Sequence, residues 1–317
     1  MQSSFARLTF CVVVLMALVA CSKDSGAPAG SIYFGTASDY DGVVEADIDL
    51  VAEPSEKLVE DSAFEKRGDI GYQLTGGADQ QVKTEFDAKN PRILASVTKI
   101  STALAALRNV SDVNVAEVSA MLRESHNYQA SMLLRRFAQT VLGMELPPPK
   151  QPSRGRSAAH TCPSNGTVEA PAAREVLSWL KKMISADWTN AELADGSGCS
   201  YENKMSPEQL VEILQYADSL GPAFSDQDFA SLLASPGRSG TLRSRLGGLS
   251  GRAKVFAKTG TLNGAITLAG YLFVPKGKEI EKYYFAVLIS TNSRAEARSA
   301  RARIDYLVKS WARKLAS

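Results

Sequence analysis

The chain has 317 residues, of which 44% are hydrophobic and 22% charged, and these values exclude a chain that is disordered throughout. Lys and Arg number 36 against 34 Asp and Glu, so the net charge of +2 gives no electrostatic reason to expect a nucleic acid as partner. The histidines are His126 and His160, which excludes a histidine-rich zinc site or an HExxH helix. We therefore predict chemistry without a metal or another cofactor.

The N-terminus is typical of an export signal, because a basic residue precedes a short apolar run over residues 8–20. The run is too short for a comfortable membrane span. It ends in Leu-Val-Ala-Cys, which is similar to a bacterial lipoprotein box with Cys21 as the lipidated residue. We predict a periplasmic protein anchored to the membrane through this lipid; an ordinary secretory signal with an incidental cysteine is the alternative. The predicted order is signal peptide, lipidated cysteine with tether, and one domain, over residues 1–20, 21–31 and 32–317.

Strand patterns lie near both ends of the chain and helical patterns fill the middle. In chain order, we predict a helix over 53–66, strands over 68–75 and 81–86, helices over 96–107, over 113–123 and from Asn127, and a long surface loop over 146–166. Helices follow over 172–184 and from Pro207, then strands over 254–261, 266–274 and 283–291, and a closing helix from Arg294.

These elements predict an α+β fold, in which a five-stranded antiparallel sheet combines strands from both ends of the chain. The sheet parts are about residues 53–95 and 250–317, and terminal helices flank the sheet. An all-helical lobe covers about residues 96–249.

Two cysteines, Cys162 and Cys199, remain after Cys11 leaves with the signal and Cys21 carries lipid. An oxidising compartment favours a disulfide, and a bond between these two would tie one loop to a later one. Two separate buried thiols are the alternative.

The first of three short motifs is Ser96-Val97-Thr98-Lys99, at the start of a predicted helix. Residues three apart share one helix face, so the Cβ atoms of Ser96 and Lys99 lie roughly 5–6 Å apart. A serine hydroxyl is a poor nucleophile until a base takes its proton, and a lysine can do so when burial lowers its pKa. The Ser96 N–H can also stabilise a developing oxyanion.

The second motif is Ser125-His126-Asn127, between two predicted helices. Its hydroxyl can pass a proton to a leaving amine, and the Asn127 amide can hold a substrate amide. His126 is more simply explained as a bystander, because Lys99 already supplies a base.

The third motif is Lys258-Thr259-Gly260, in a predicted strand and followed by Thr261. The lysine and the hydroxyl can bind a carboxylate, and the glycine lets a peptide approach the backbone closely. An extended substrate can pair with this strand edge. Each motif is short, so their specificity lies in their order and in their helix, loop and strand contexts.

This set resembles that of penicillin-binding proteins and serine β-lactamases. Further segments are more specifically similar to the penicillin-binding protein 4 type, the D-alanyl-D-alanine carboxypeptidases/endopeptidases: Asp195-Gly196-Ser197-Gly198-Cys199-Ser200, Asn203, Ser206-Pro207 and Ser239-Gly240-Thr241-Leu242-Arg243. The resemblance covers about Gly68 to the C-terminus. It implies a penicillin-binding protein transpeptidase-like fold, an acyl-serine mechanism on peptidoglycan stem peptides, and acylation by β-lactams.

The resemblance also implies a role for each motif residue. Ser96 attacks the carbonyl that precedes a D-alanine, with Lys99 as base. Ser125 and Lys258 assist proton transfer, and Asn127 positions the acyl chain.

The remaining implied roles concern the substrate. Lys258 and Thr259 receive the carboxylate of the leaving residue, and Gly260 lies in the same binding strand. The N–H groups of Ser96 and Thr261 form the oxyanion hole.

Two features depart from the family pattern. Typical members carry large domains between the first two motifs, whereas residues 100–124 alone separate Lys99 from Ser125. We therefore expect an open cleft that accepts cross-linked wall and favours endopeptidase action. Cys199 and Ser200-Tyr201 stand where the family usually has Leu and Arg, so recognition of the stem-peptide side chain differs.

Two other functions compete with this prediction. A serine β-lactamase would use the same acyl-enzyme, but the sequence has no assured deacylating carboxylate. A non-catalytic wall-binding lipoprotein is opposed by the intact Ser96 and Lys99. Because an endopeptidase endangers its producer, we also expect a control or immunity protein as partner.

Overall fold

One antiparallel sheet, with helices on both faces, organises the described part of the chain. The computed structural model describes residues 63–151, 161–162, 168–221, 228–249 and 252–317; the predicted signal, Cys21 and the tether lie outside them, as does His160. The helices are α1 (Ala63–Arg67), α2 (Lys99–Asn109), α3 (Val115–Glu124), α4 (Asn127–Leu142), α5 (Ala170–Met183), α6 (Pro207–Ser219) and α7 (Arg294–Ala316). The strands are β1 (Ile70–Gly76), β2 (Gln81–Phe86), β3 (Arg92–Ile93), β4 (Lys204–Met205), β5 (Lys254–Leu262), β6 (Ala265–Lys276) and β7 (Glu279–Ser290).

The sheet has five strands in the order β2-β1-β7-β6-β5, and every neighbouring pair is antiparallel. The N-terminal hairpin therefore adds to three C-terminal strands, which confirms the predicted sheet. β5 lies at one edge and β2 at the other. A β-edge has unpaired backbone groups on its outer side, so each of these strands can accept a further strand.

Side chains on the two faces of the sheet build two separate cores. Along β6, Ala269 and Tyr271 face a cluster shared with α2–α6, whereas Leu268 and Leu272 face a cluster shared with α7. This alternation follows from the two-residue period of a strand. The sheet is thus covered by helices on both sides, and the helical lobe and α7 do not share a core.

The closing helix α7 matches its predicted pattern. Ile304, Leu307, Val308 and Trp311 recur at helical spacing and are all buried against the sheet. Burying each of these side chains contributes roughly 1.5–3 kcal/mol relative to exposure. No described helix combines the length and the apolarity needed to cross a bilayer.

Helix α2 runs through the middle of the helical lobe. Every residue from Lys99 to Ala106 is buried, and the helix packs on α3, α4 and α5. Its alanines let the neighbouring helices come close on several sides. A residue at the start of α2 is therefore held rigidly between the lobe and the sheet.

The structure differs from the sequence prediction in two places. The helix expected from residue 96 begins with a 3-10 turn over Ala95–Thr98, and the α-helix starts at Lys99. The lobe is also not wholly helical, because β4 pairs with β3 as a short two-stranded ribbon. The predicted start of α6 is confirmed: Ser206 and Gln209 form a capping box and Pro207 follows the cap.

Candidate active site

Ser96 lies on a strained turn between the sheet and α2. The preceding Ala95 has a φ of +48°, a left-handed conformation that is unfavourable for a residue with a side chain. Thr98 Oγ1 donates a hydrogen bond to the Ala95 carbonyl at 2.9 Å and supports this turn. The hydroxyl of Ser96 consequently sits at the start of α2 without being part of its regular helix.

Lys99 is fully buried and points at three acceptors. Its Nζ donates to Ser96 Oγ at 3.0 Å, to Asn127 Oδ1 at 2.7 Å and to the Ser197 carbonyl. Burial lowers the pKa of Lys99 to about 7, and the nearby carboxylate of Asp195 opposes this shift. An amine with this pKa is partly neutral near pH 7 and can accept a proton there.

The turn after residue 194 is held together by one buried carboxylate. The oxygens of Asp195 accept hydrogen bonds, at 2.5–3.3 Å, from the N–H groups of residues 197–200 and from the Ser197 hydroxyl. Side-chain-to-backbone bonds of this kind fix a turn. They place the Ser197 carbonyl on Lys99, so Asp195 shapes the site through its backbone.

Ser125, at the end of α3, and Lys258, on β5, contact each other directly. Ser125 ends α3 in a left-handed conformation, with a φ of +62°, which turns its side chain out of the helix. The buried Lys258 Nζ donates to Ser125 Oγ and to the Thr259 carbonyl, both at 2.8 Å. Burial, together with the charge of Lys99, holds the pKa of Lys258 well below its usual value.

The edge strand β5 lies beside these residues. The N–H groups of alternate residues along β5 point to the side that faces away from β6. The N–H of Ala257 points away from β6, because it donates to the carbonyl of Ala234 at 2.9 Å. The two-residue period of an antiparallel strand therefore directs the N–H groups of Thr259 and Thr261 outward as well. A Cβ on Gly260 would lie 2.8 Å from the Leu94 carbonyl, so this glycine lets β5 pack directly against the turn that carries Ser96.

The contact between the 240–242 turn and β5 was not predicted from the sequence. Thr259 Oγ1 donates to Thr241 Oγ1 at 2.7 Å. The preceding Gly240 packs so tightly on the Arg123 carbonyl that a Cβ there would lie 2.1 Å from its oxygen. This turn thereby joins the end of α3 to β5, next to Ser125. The Ser239-Gly240-Thr241 sequence was the feature from which a role for this turn could have been predicted.

The structure also places the cysteines and His126. Cys162 and Cys199 form a disulfide with Cα atoms 5.8 Å apart, so of the two alternatives the chain adopts the cross-link. Asn127 Nδ2 donates to Cys199 Sγ at 3.4 Å. The ring of His126 contacts Gln129 Oε1 through Nδ1 at 2.9 Å.

The three segments that carry the eight motif residues predicted for catalysis and substrate binding thus contact one another. Lys99 joins the first motif to the second, Lys258 joins the third to the second, and β5 packs on the first. A nucleophile, a base of lowered pKa, a proton relay and outward N–H groups are the components of acyl transfer to serine.

Gly198 gives a test of how tightly this site is built. A Cβ added to it would lie 1.9 Å from the Ala95 carbonyl, and its φ is +85°. Gly198→Ala should lose about 3 kcal/mol or more of unfolding free energy, because backbone must move, and should weaken acylation of Ser96. Gly143→Ala, where φ is +65° and the space is open, should lose only about 1 kcal/mol. Equal losses in urea unfolding would contradict the close approach at Gly198.

Comparisons with known proteins find a family model that matches part of the chain. Residues 155–311 match the model of the D-Ala-D-Ala carboxypeptidase 3 (S13) family, a span that includes β5 with its Lys258-Thr259-Gly260 motif. A D-alanyl-D-alanine carboxypeptidase from Actinomadura sp. (strain R39) is 29% identical over 180 residues, which are 53% of this chain and 28% of that protein.

Solved structures resemble the chain at lower identity. Penicillin binding protein 4 from Haemophilus influenzae is 24% identical, with a TM-score of 0.45 over 63% of this chain and 39% of that one. A halotolerant bacterial β-lactamase has a TM-score of 0.55 at 13% identity, over 81% of this chain and all of the other. The chain spans 28% of the curated relative and 39% of the penicillin binding protein, whereas the match to the β-lactamase extends over the whole length of that protein. Residues 155–311 of the chain are therefore similar to the D-Ala-D-Ala carboxypeptidase 3 (S13) family, and the chain has a β-lactamase-like fold.

Proposed function

We propose that the chain is a serine DD-peptidase, which hydrolyses peptidoglycan stem peptides through an acyl-serine intermediate and is acylated by β-lactams. One observation carries the proposal. The fully buried Lys99, whose pKa is lowered to about 7, lies 3.0 Å from the Ser96 hydroxyl beside a strand edge. The similarity to the D-alanyl-D-alanine carboxypeptidase from Actinomadura supports the same chemistry.

Acylation starts when the neutral Lys99 amine accepts the proton of Ser96 Oγ. The oxygen then forms a bond to the carbonyl carbon that precedes a D-alanine. Negative charge develops on the carbonyl oxygen, where the N–H groups of Ser96 and Thr261 stabilise it. Asn127 holds Nζ in place through its side-chain oxygen at 2.7 Å.

Collapse of this intermediate breaks the C–N bond, and the leaving amine takes a proton. Ser125 supplies it, because its hydroxyl is held by Lys258 Nζ at 2.8 Å and can be reprotonated from there. The proton that Lys99 took from Ser96 passes to Lys258, which leaves Lys99 neutral again. Water then attacks the acyl-enzyme while Lys99 takes up a proton from it, and Lys99 returns this proton to Ser96 Oγ as the ester bond breaks. The products are a shortened stem peptide with a new carboxylate, a free amine and the restored Ser96 hydroxyl.

The leaving residue binds along the edge of β5. Its carboxylate is received by Lys258 and by the Thr259 hydroxyl, which Thr241 orients. Desolvation of a carboxylate is costly unless it is paired, and a buried lysine is a matching partner. The extended acyl part pairs with the outward backbone of the same strand.

We further propose that cross-linked wall is a substrate, so that endopeptidase action is favoured. Residues 100–124 are taken up by α2, α3 and their short connection inside the lobe. The segment that carries extra domains in typical relatives therefore leaves the β5 edge accessible to a branched polymer. A strict carboxypeptidase would instead require a closed end beyond the leaving D-alanine.

A serine β-lactamase is the second candidate, favoured by the shared fold. In class A β-lactamases, a carboxylate activates the water for rapid deacylation. The buried carboxylates nearest the turn are already engaged: Asp195 by backbone N–H groups, and Glu169 by Arg135 and the Gly196 N–H. We therefore rank it below the peptidase; rapid, repeated hydrolysis of nitrocefin would reverse that ranking.

We also propose export and anchoring. The signal over residues 1–20 sends the chain to the periplasm, where the peptidoglycan is, and lipid on Cys21 holds it at the membrane. An endopeptidase with an open cleft endangers its own cell wall, which supports a control or immunity protein as partner.

Mass spectrometry and wall digestion test the proposal together. Incubation with benzylpenicillin should give one acyl adduct, and peptide mapping should place it on Ser96. Digested sacculi should lose dimeric muropeptides. Persistent dimers alongside trimmed pentapeptides would overturn the endopeptidase part alone. The absence of both adduct and digestion would favour a non-catalytic wall-binding lipoprotein.

A further inference from the structure

The Cys162–Cys199 disulfide lies directly against the catalytic residues. Cys199 Sγ accepts a hydrogen bond from Asn127 Nδ2 at 3.4 Å. Cys199 also follows Ser197 by two positions, and the Ser197 carbonyl accepts a hydrogen bond from Lys99. The cross-link is therefore attached to the turn that holds the base.

The amide of Asn127 is oriented by two partners of different strength. A protonated amine only donates, so Lys99 fixes which end of the amide is the oxygen and turns the NH₂ group toward Cys199. Sulfur is a weak acceptor. This contact orients the amide in the free protein and can be exchanged for a substrate carbonyl at small cost.

The other half of the disulfide comes from the segment between α4 and α5, which is anchored elsewhere too. Arg135 on α4 donates to the Pro147 carbonyl at 2.7 Å and forms a buried ion pair with Glu169. Glu169 in turn accepts the N–H of Gly196 at 3.2 Å. The segment thus reaches the 195–200 turn at Glu169 and again at Cys162.

We propose that the Cys162–Cys199 disulfide is a positioning element of the catalytic site. It holds the Ser197 carbonyl and the Asn127 amide so that Lys99 Nζ stays directed at Ser96. The inference rests on the proposed acyl-serine function and adds to it a covalent support. Without the cross-link, Asp195 still closes its turn and Glu169 still accepts the Gly196 N–H, but the turn loses its covalent bond to the segment before α5.

Loosening the 195–200 turn should change the pKa of the base, Lys99, as well as the acylation rate. The charged groups that face Lys99 are Asp195 of the turn and Lys258 of β5. Burial is the main cause of the lowered pKa of Lys99, so water that enters beside a loosened turn raises this pKa from about 7. The neutral amine then appears only at higher pH.

Two cysteine variants distinguish the effect of losing the cross-link from the effect of losing the Cys199 sulfur atom. Cys162→Ser breaks the bond but leaves the Cys199 sulfur beside Asn127, and the double variant Cys162→Ser/Cys199→Ser removes both. The acylation rate with a fluorescent penicillin at pH 7 should fall about tenfold in the first and further in the second. In both variants, the pH below which the acylation rate falls should be about one unit higher than in the wild type.

Val308→Ala is the control for a general loss of stability. Val308 lies on α7 and is buried against the sheet, in the core that does not include the helical lobe. This variant should lower the Tm and keep the wild-type rate and pH profile.

The outcomes separate this inference from the proposed function. Wild-type rates and profiles in the cysteine variants, with Ser96 still labelled, would overturn the positioning role and leave the function intact. A fall in rate shared equally by Val308→Ala would overturn it also. If penicillin failed to label wild-type Ser96, the function would fail first and the inference with it.

Discussion

Replacing Ser96 by alanine should abolish covalent labelling by penicillin and the digestion of peptidoglycan. The Ser96 hydroxyl, which accepts a hydrogen bond from Lys99 Nζ at 3.0 Å, is the proposed acyl acceptor, and alanine leaves no oxygen to form the ester. Removing a nucleophile eliminates the covalent route entirely. Intact-mass spectrometry after incubation with benzylpenicillin should therefore show the unmodified mass alone.

Ser101→Ala is a matched control for this change. Ser101 lies on α2, five residues after Ser96, and its buried hydroxyl has no hydrogen-bond partner among the described residues. The variant should be acylated at the wild-type rate. An adduct that persists in Ser96→Ala would move the nucleophile to another residue and remove the basis of the proposed mechanism.

Replacing Lys99 by methionine should lower the acylation rate by about 10²–10⁴-fold, which is the usual contribution of a positioned general base. Methionine keeps a chain of similar length in the buried site but has no amine to accept the Ser96 proton. Stopped-flow measurement with a fluorescent penicillin gives the rate directly. Lys181→Met, on the charged face of α5, is the control and should keep the wild-type rate.

The pH dependence of the wild type follows from the same residue. Only the neutral amine accepts a proton, and the pKa of Lys99 is about 7. The acylation rate should therefore rise with pH through about 7 and level off above it, falling nearly tenfold for each pH unit below. A rate that is flat between acidic and alkaline pH would contradict Lys99 as the base.

Much of the fold was predictable, because its elements have strong local patterns. The apolar spacing of α7 and the Ser206-Pro207 start of α6 fixed those helices to within a few residues. The alternation of strands and helices along the chain also indicated that N- and C-terminal strands share one sheet. These features depend on neighbours in sequence, which periodicity and capping describe well.

The residues of the candidate site were predictable from the sequence, but the contacts that hold them in place were not. The left-handed Ala95, the close approach of Gly198 and the contact of Thr241 with Thr259 each join segments far apart in sequence. No local pattern specifies such contacts, because they arise only once the lobe has packed on β5. The role of Asp195 was an exception, since an Asp-Gly-Ser-Gly run is typical of a turn fixed by its own side chain.

The way the sheet is assembled has a consequence for when the protein can act. Ser125 and Lys258 meet across 133 positions of sequence, and Thr267 on β6 donates to the Leu94 carbonyl across 173. Such distant pairings form late and slowly, after the C-terminal strands have been made. A growing chain therefore holds Ser96 and Lys99 without the strands that complete the candidate site, and this site cannot form before β5 and β6 have been synthesised.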